Sequence, residues 1–134
     1  MSGKKSKKKE KKAARKFNEK QIKAALKDLK KLLGKGAFIP AMEKYLHDDV
    51  QLQEANNEPK VGKEVCLQAE KELLATVTDF AGYTMKNIVV RGNVSYYEAI
   101  MEFTTNDGVQ HRFEQVNRTK WKDGLIINER YFHA

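Results

Sequence analysis

Hydrophobic residues recur first with the period of an α-helix and later with the period of two that is typical of β-strands. From Ile22 to Leu33, apolar residues return every three or four positions with lysines between them, which predicts an amphipathic helix. Asn18 is placed to cap the start of this helix, and Gly34 and Gly36 are placed to end it. The pattern therefore predicts a first helix that begins at residue 18.

Two shorter helices and one strand are predicted before the period changes. A helix with Pro40 near its first turn follows the glycines, and the alternating segment 50–55 predicts a strand. A third helix is expected over residues 63–76. The residues predicted to share its apolar face are Val65, Ala69, Leu73 and Thr76.

From Tyr83 onward the apolar residues alternate with polar ones. Four strands are predicted, at residues 83–91, 94–105, 109–122 and 125–132. The short segments between them consist of Gly, Asn and Asp, which tolerate the positive φ angles of tight hairpins. Helices followed by an antiparallel meander predict an α+β fold, with the helices packed on one face of the sheet.

Alternation also predicts which side chains of the two central strands face the interior. One face of each strand mixes aromatic and apolar residues with amides and hydroxyls, and the other face carries most of the charges. The predicted inward residues are Tyr97, Ala99, Met101 and Phe103 on one strand, and His111, Phe113, Gln115, Asn117, Thr119 and Trp121 on the next. On the last strand both faces are mixed, so alternation leaves the facing of Arg130 open.

Charge is distributed unevenly along the 134 residues. The net charge is +8, but residues 1–16 hold nine basic residues and one acid, whereas residues 36–134 are mildly acidic. Because the leader 1–16 has almost no apolar residues, we predict that it is disordered and that residues 17–134 form the folded domain. A lysine run can bind nucleic acid or an anionic surface weakly, and the alternative is a solubilising tail.

Several classes of protein are excluded or disfavoured. Cys66 is the only cysteine, which excludes an intrachain disulfide and a multi-cysteine zinc site. No segment is apolar enough to predict a membrane span or a secretory signal, so we expect a cytoplasmic protein. The chain has no phosphate-binding glycine motif, no HExxH and no nucleophilic serine elbow, so neither a cofactor nor a metal is predicted.

Three short motifs, in their order and spacing, resemble the nuclear transport factor 2-like superfamily, which includes ketosteroid isomerases and SnoaL-like polyketide cyclases. They are Tyr45–Val50, similar to the segment before the first strand, Gly62–Val65, similar to a helix-opening glycine motif, and Trp121–Ile126 with Glu129–Phe132, similar to the closing hairpin. The resemblance implies a curved antiparallel sheet that forms a cone, capped by about three helices and holding a ligand pocket.

Glu54 is the first candidate for chemistry in such a pocket. It shares the alternation of Val50 and Leu52, and the resemblance implies a general-base carboxylate near the end of this strand. A carboxylate in an apolar cone is suited to proton transfer, although a glutamate at a strand end can equally face solvent. His111 is expected inside and could act with Glu54 as a base or proton relay, or be a structural histidine.

The remaining predicted pocket residues are Tyr97, Met101, Phe113, Gln115, Asn117, Trp121 and Arg130. In the isomerases that the chain resembles, a tyrosine and a protonated carboxylic acid stabilise the enolate. Here the first helix offers no tyrosine on its apolar face, and the matching strand carries the amides of Gln115 and Asn117. We therefore regard steroid-type isomerisation as disfavoured.

Two functions follow from the sequence. The first is binding of a small apolar or carbonyl-type molecule, with isomerase-like or cyclase-like proton transfer. The second is a non-catalytic, dimeric interaction module that is tethered to an acidic partner by its basic leader. In either case Tyr96, Ile100 and Val116 are expected on the outer face of the sheet, where they would suit a homodimer interface.

Overall fold

Nine elements make up the computed structural model, which describes residues 2–133, with side chains from residue 6 onward. The helices are α1 (Ser2–Gly34), α2 (Phe38–Tyr45) and α3 (Lys63–Leu74). The strands are β1 (Leu46–Glu54), β2 (Lys60–Val61), β3 (Val77–Arg91), β4 (Val94–Thr105), β5 (Gln110–Lys122) and β6 (Leu125–His133). The three helices and the meander are predicted by the hydrophobic pattern, but β1 and β3 begin earlier than the predicted residues 50 and 83, and β2 was not predicted.

The six strands form one curved, open sheet in the order β2-β1-β6-β5-β4-β3. Neighbouring strands are antiparallel except β1 and β6, which run parallel. The predicted α+β cone is confirmed, but the parallel pair was not predicted. Hairpin signals report only strands that are adjacent in sequence, whereas a parallel pair needs a long crossover.

Helix α1 begins earlier than predicted. It extends back to Ser2, so Asn18 does not cap it. Residues 6–33 contain neither glycine nor proline and are rich in Lys, Ala and Leu, which favour helix. The exposed residues 6–16 have no apolar face, and such a segment is marginal as a helix in water. Disorder of the leader and a domain boundary at residue 17 therefore stay predictions.

The core lies between α1 and the concave face of the sheet. Ile22, Leu26 and Leu29 are buried, and the inward faces predicted for β4 and β5 are confirmed by the burial of Tyr97 and Asn117. Helix α2 is tied to α1 by Asp28, whose carboxylate accepts hydrogen bonds from Lys44 Nζ and Tyr45 Oη at 2.6 and 2.5 Å. These bonds lower the pKa of Asp28.

The face predicted for α3 is only partly correct. Ala69 and Leu73 line the space between the helices and the sheet, but Val65 is 55% exposed, and Cys66 and Leu67, which lie outside the predicted face, are buried. The helix is short and its apolar residues are scattered around its circumference, so spacing alone does not select the face that packs against β1.

One extra residue in β6 determines which side chains of that strand face the interior. Ile126 pairs with Trp121, but Asn128 pairs with Lys120, so Ile127 is an extra residue with no partner on β5. The extra residue reverses the alternation of the strand. Ile126 and Glu129 consequently both face inward, although they lie three positions apart.

None of the helices in residues 2–133 combines the length and the apolar composition that a bilayer span needs.

Candidate ligand-binding site

A cavity of about 580 Å³ separates the three helices from the concave face of the sheet. Its helical side is mostly apolar, with Leu29 and Leu33 from α1, Phe38 and Met42 from α2, and Leu73 from α3. The sheet side carries most of the polar groups, so a bound molecule would meet hydrocarbon on one side and hydrogen-bonding groups on the other.

Strand register arranges the polar residues of the sheet in rows. Tyr97, Asn117 and Tyr131 are in register across β4, β5 and β6, and Glu54 of β1 lies beside Tyr131. In the adjoining row, Thr119 of β5 is opposite Glu129 of β6. The rows bring together residues from four strands on one wall of the cavity.

Glu129 is the most deeply buried acid of the site. It is 8% exposed, and its Oε2 accepts a hydrogen bond of 2.6 Å from Thr119 Oγ1. Tyr131, two residues along the same strand, also lines the cavity. Burial raises the pKa of Glu129, because the hydrogen bond from Thr119 only partly offsets the loss of hydration. In its protonated form this carboxyl can donate a hydrogen bond into the cavity.

A directed chain of hydrogen bonds ends at Tyr97. Gln115 Nε2 donates to Asn117 Oδ1 at 2.8 Å, and Asn117 Nδ2 donates to Tyr97 Oη at 2.8 Å. Tyr97 thus receives a hydrogen bond at its oxygen, and its own proton is available to Tyr83 or to a ligand. Burial raises the pKa of Tyr97 well above its ordinary value, so the phenol stays a donor at neutral pH.

The two predicted catalytic residues lie on the cavity wall but do not pair with each other. Glu54 Oε2 lies 2.5 Å from His133 Nε2, and the Glu54 side chain is 49% exposed. His111 Nε2 lies 3.0 Å from Thr105 Oγ1, and its ring stacks on Phe103 with centroids 4.9 Å apart. The predicted contact of Glu54 with His111 is therefore corrected to one with His133.

Five of the seven other predicted pocket residues line the cavity, namely Tyr97, Met101, Phe113, Gln115 and Asn117. Trp121 is buried elsewhere in the core, where its Nε1 donates to Ser95 Oγ at 2.9 Å. Arg130 faces away from the cavity, because the extra residue Ile127 reverses the alternation before it. Its guanidinium binds the backbone oxygen of Ala55 and the side chain of Asn56.

The sequence did not identify Glu129 as a site residue, and it offers no signal that would. If the residues of β5 and β6 paired one to one outward from the hairpin at Asp123 and Gly124, Arg130 and not Glu129 would lie opposite an inward residue of β5. Glu70 of α3 was also missed. It follows the buried Cys66 by four positions, and that spacing puts the two residues on one face of a helix.

Among the side chains of residues 6–133, no group of His, Cys, Asp and Glu is placed to hold a metal ion. Burial raises the pKa of the Cys66 thiol, which suits a core residue rather than a ligand or nucleophile.

Solved structures share this arrangement of helices and strands. A SnoaL-like polyketide cyclase from Mesorhizobium loti is 25% identical, with a TM-score of 0.73, and the match covers 83% of this chain and 97% of that one. A nuclear transport factor 2-like protein from Burkholderia xenovorans LB400 is 17% identical, with a TM-score of 0.70, covering 88% and 86% of the two chains. The chain has the fold of the nuclear transport factor 2-like superfamily.

The superfamily predicted from the short motifs is thus confirmed. An LEH-like epoxide hydrolase from M. tuberculosis also has this fold, with 14% identity, a TM-score of 0.71, and coverage of 86% and 84% of the two chains. No protein-family model matches the chain, and no curated protein matches it in sequence.

Proposed function

We propose that this protein binds a small, largely apolar molecule through a carbonyl group and catalyses proton transfer at the carbon next to that carbonyl. The observation that carries the proposal is the pair of buried donors, Glu129 and Tyr97, on the wall of an otherwise apolar cavity. The likeness to SnoaL-like polyketide cyclases supports a carbonyl ligand, because a polyketide is built from carbonyl units.

Glu129 and Tyr97 would act on the carbonyl oxygen. Removal of a proton beside a carbonyl places negative charge on that oxygen, and hydrogen-bond donors in a low-dielectric site stabilise the charge. Burial raises the pKa of Glu129, which favours the protonated carboxyl, the form that would donate a hydrogen bond to the carbonyl oxygen. The sequence had offered only amides for this role.

Glu54 would be the base that takes the proton. It lies in register with Tyr131, so it is on the same wall as the two donors, at an end of the cavity that reaches solvent. His133, in contact with Glu54, would pass the proton to water. His111 is separate from this pair and would contact the ligand through its ring.

Replacing Tyr97 with phenylalanine should weaken the binding of an aromatic ketone by roughly two- to tenfold, the worth of one net hydrogen bond. The ligand is 2-acetylnaphthalene labelled with ¹³C at its carbonyl, and its affinity and carbonyl chemical shift are followed by NMR. The shift should move upfield in the variant, because a donor to the oxygen is lost.

Tyr96→Phe is the matched control, since Tyr96 is the neighbouring residue on the outer face and is 44% exposed. It should leave both quantities unchanged. If the wild-type protein fails to bind the ketone, or if both variants bind it equally, the proposed carbonyl site is wrong.

We also propose that the outer face of the sheet joins two copies of the chain. Val89, Tyr96 and Val116 are exposed there, and each is apolar or aromatic. Val116→Asp would place an unpaired charge in such an interface and should shift the protein from dimer to monomer in sedimentation. A wild-type protein that is already monomeric at micromolar concentration would contradict this proposal.

The non-catalytic interaction module is the second candidate. It is favoured by the exposed basic residues 6–16, which would provide the tether to an acidic partner. That function needs no ligand in the cavity, so the ketone titration separates the two candidates.

A further inference from the structure

A second, smaller cavity adjoins the main one at α3. It has a volume of about 60 Å³, and it shares Phe38, Glu70, Met101 and Phe103 with the wall of the main cavity. Phe80 of β3 lines only the smaller space. The main cavity therefore has a side pocket large enough for a group of a few non-hydrogen atoms.

Glu70 is the charged residue at the junction of the two cavities. No hydrogen bond or ion pair joins its carboxylate to another residue in the described range 6–133. Loss of hydration raises the pKa of Glu70, and the charge of Lys60, which also lines the main cavity, only partly offsets this effect. The Glu70 carboxylate thus has no direct ionic partner within residues 6–133, which leaves it free to pair with a bound cation.

The remaining walls of the side pocket are suited to a cation as well. Phe38 and Phe80 meet edge to face, with centroids 5.5 Å apart, and Phe103 also lines the side pocket. Aromatic rings attract cations through the negative charge of their faces, and rings around a single carboxylate are a common way to bind an alkylammonium group. A neutral alkyl group could pack against the rings but would leave the Glu70 carboxylate without an ion pair.

We propose that the side pocket binds a small alkylammonium group, with Glu70 as its counter-charge and Phe38, Phe80 and Phe103 as its aromatic wall. The ligand class is then an apolar amine that carries a carbonyl group at its other end. The carbonyl end rests on the proposed function, whereas the ammonium end stands on the side pocket alone.

The test compares ligands of equal shape and different charge. One pair is 4-[(dimethylamino)methyl]acetophenone, a cation at neutral pH, and 4-isobutylacetophenone, its neutral isostere. A second pair, benzyldimethylamine and isobutylbenzene, lacks the carbonyl. Dissociation constants are measured by NMR titration of the full-length protein, and the ratio of neutral to cationic constants gives the charge preference.

In the wild-type protein both cations should bind roughly tenfold more tightly than their isosteres, as expected for a partly desolvated ion pair with aromatic neighbours. Glu70→Gln should bring this ratio close to one while changing the affinity of the neutral ligands by less than about twofold. Phe80→Leu should lower the affinity of the cations by about two- to fivefold.

Glu72→Gln is the matched control, because it removes the same charge from an exposed position of the same helix. It should retain the wild-type preference. Thermal melting of each variant verifies that it is folded, and the Phe80→Leu result keeps the proposal testable if Glu70→Gln does not fold.

Two failures can be told apart. If the amines bind with the expected preference but the carbonyl adds nothing to affinity, the proposed function is wrong and the ammonium site stands. If the ketones bind and the cationic and neutral members of each pair have equal constants, or if Glu70→Gln keeps the preference, the ammonium site is overturned.

Discussion

Replacing Glu54 with glutamine should lower the rate at which this protein exchanges the hydrogens next to a ketone for deuterium by at least a hundredfold. A positioned general base contributes roughly 10² to 10⁴ to a rate, and glutamine keeps the shape of the side chain while removing its basicity. The exchange is followed in D₂O by the loss of the methyl ketone signal of 4-isobutylacetophenone in the proton NMR spectrum.

Glu58→Gln provides the control, because Glu58 is exposed in the turn that follows β1. It should exchange at the wild-type rate, and both variants should bind the ketone as the wild type does. A Glu54→Gln protein that binds and exchanges normally would remove this residue from the reaction. If the wild type binds the ketone but does not accelerate exchange, the protein is a binder and not a catalyst.

Replacing Glu129 with glutamine should raise the melting temperature at pH 7 to 8 by a few degrees and leave it nearly unchanged at pH 4. The folded-state pKa of Glu129 is raised above its ordinary value of 4.5, mainly by burial. The neutral carboxyl therefore favours the folded state fully below the unfolded pKa, and this contribution is lost as the pH climbs through the folded pKa. Glutamine does not titrate, so its advantage over the wild type should grow with pH and then level off.

Melting curves of both proteins between pH 4 and pH 9 measure this difference. Glu102→Gln on the outer face of β4, where the glutamate side chain is 54% exposed, should show no such trend. A difference between Glu129→Gln and the wild type that does not depend on pH would mean that the Glu129 carboxyl is not destabilised by its burial.

The meander illustrates what local pattern can establish. The turn between β4 and β5 contains Gly108, whose φ of +81° lies in the left-handed region that glycine tolerates, as the turn sequence Asn106-Asp107-Gly108 predicts. Each hairpin joins strands that are adjacent in sequence, so turn residues and alternation together determine the pairing of β4 with β5. That is why the inward positions of Tyr97 and Asn117 were predicted correctly.

Helix α3 and strand β6 show where local pattern fails. The spacing of Val65 and Leu73 is helical, but which side of α3 packs on β1 depends on a contact between distant parts of the chain. On β6 no local sequence signal marks Ile127 as an extra residue. Whether such a β-bulge forms depends on how β6 pairs with the strands on both sides of it.

The sequence by itself determined the α+β class, the strands of the meander, the inward faces of β4 and β5, and the superfamily, because these depend on period and turn chemistry over short stretches of chain. Only the tertiary structure decided the chemistry of the cavity. The contact of Glu54 with His133 joins residues 79 positions apart through the parallel pairing of β1 with β6. The inward position of Glu129 depends on a single extra residue, and the unpaired carboxylate of Glu70 depends on how α3 sits over the sheet. Each of these arises from long-range packing, which residue spacing does not encode.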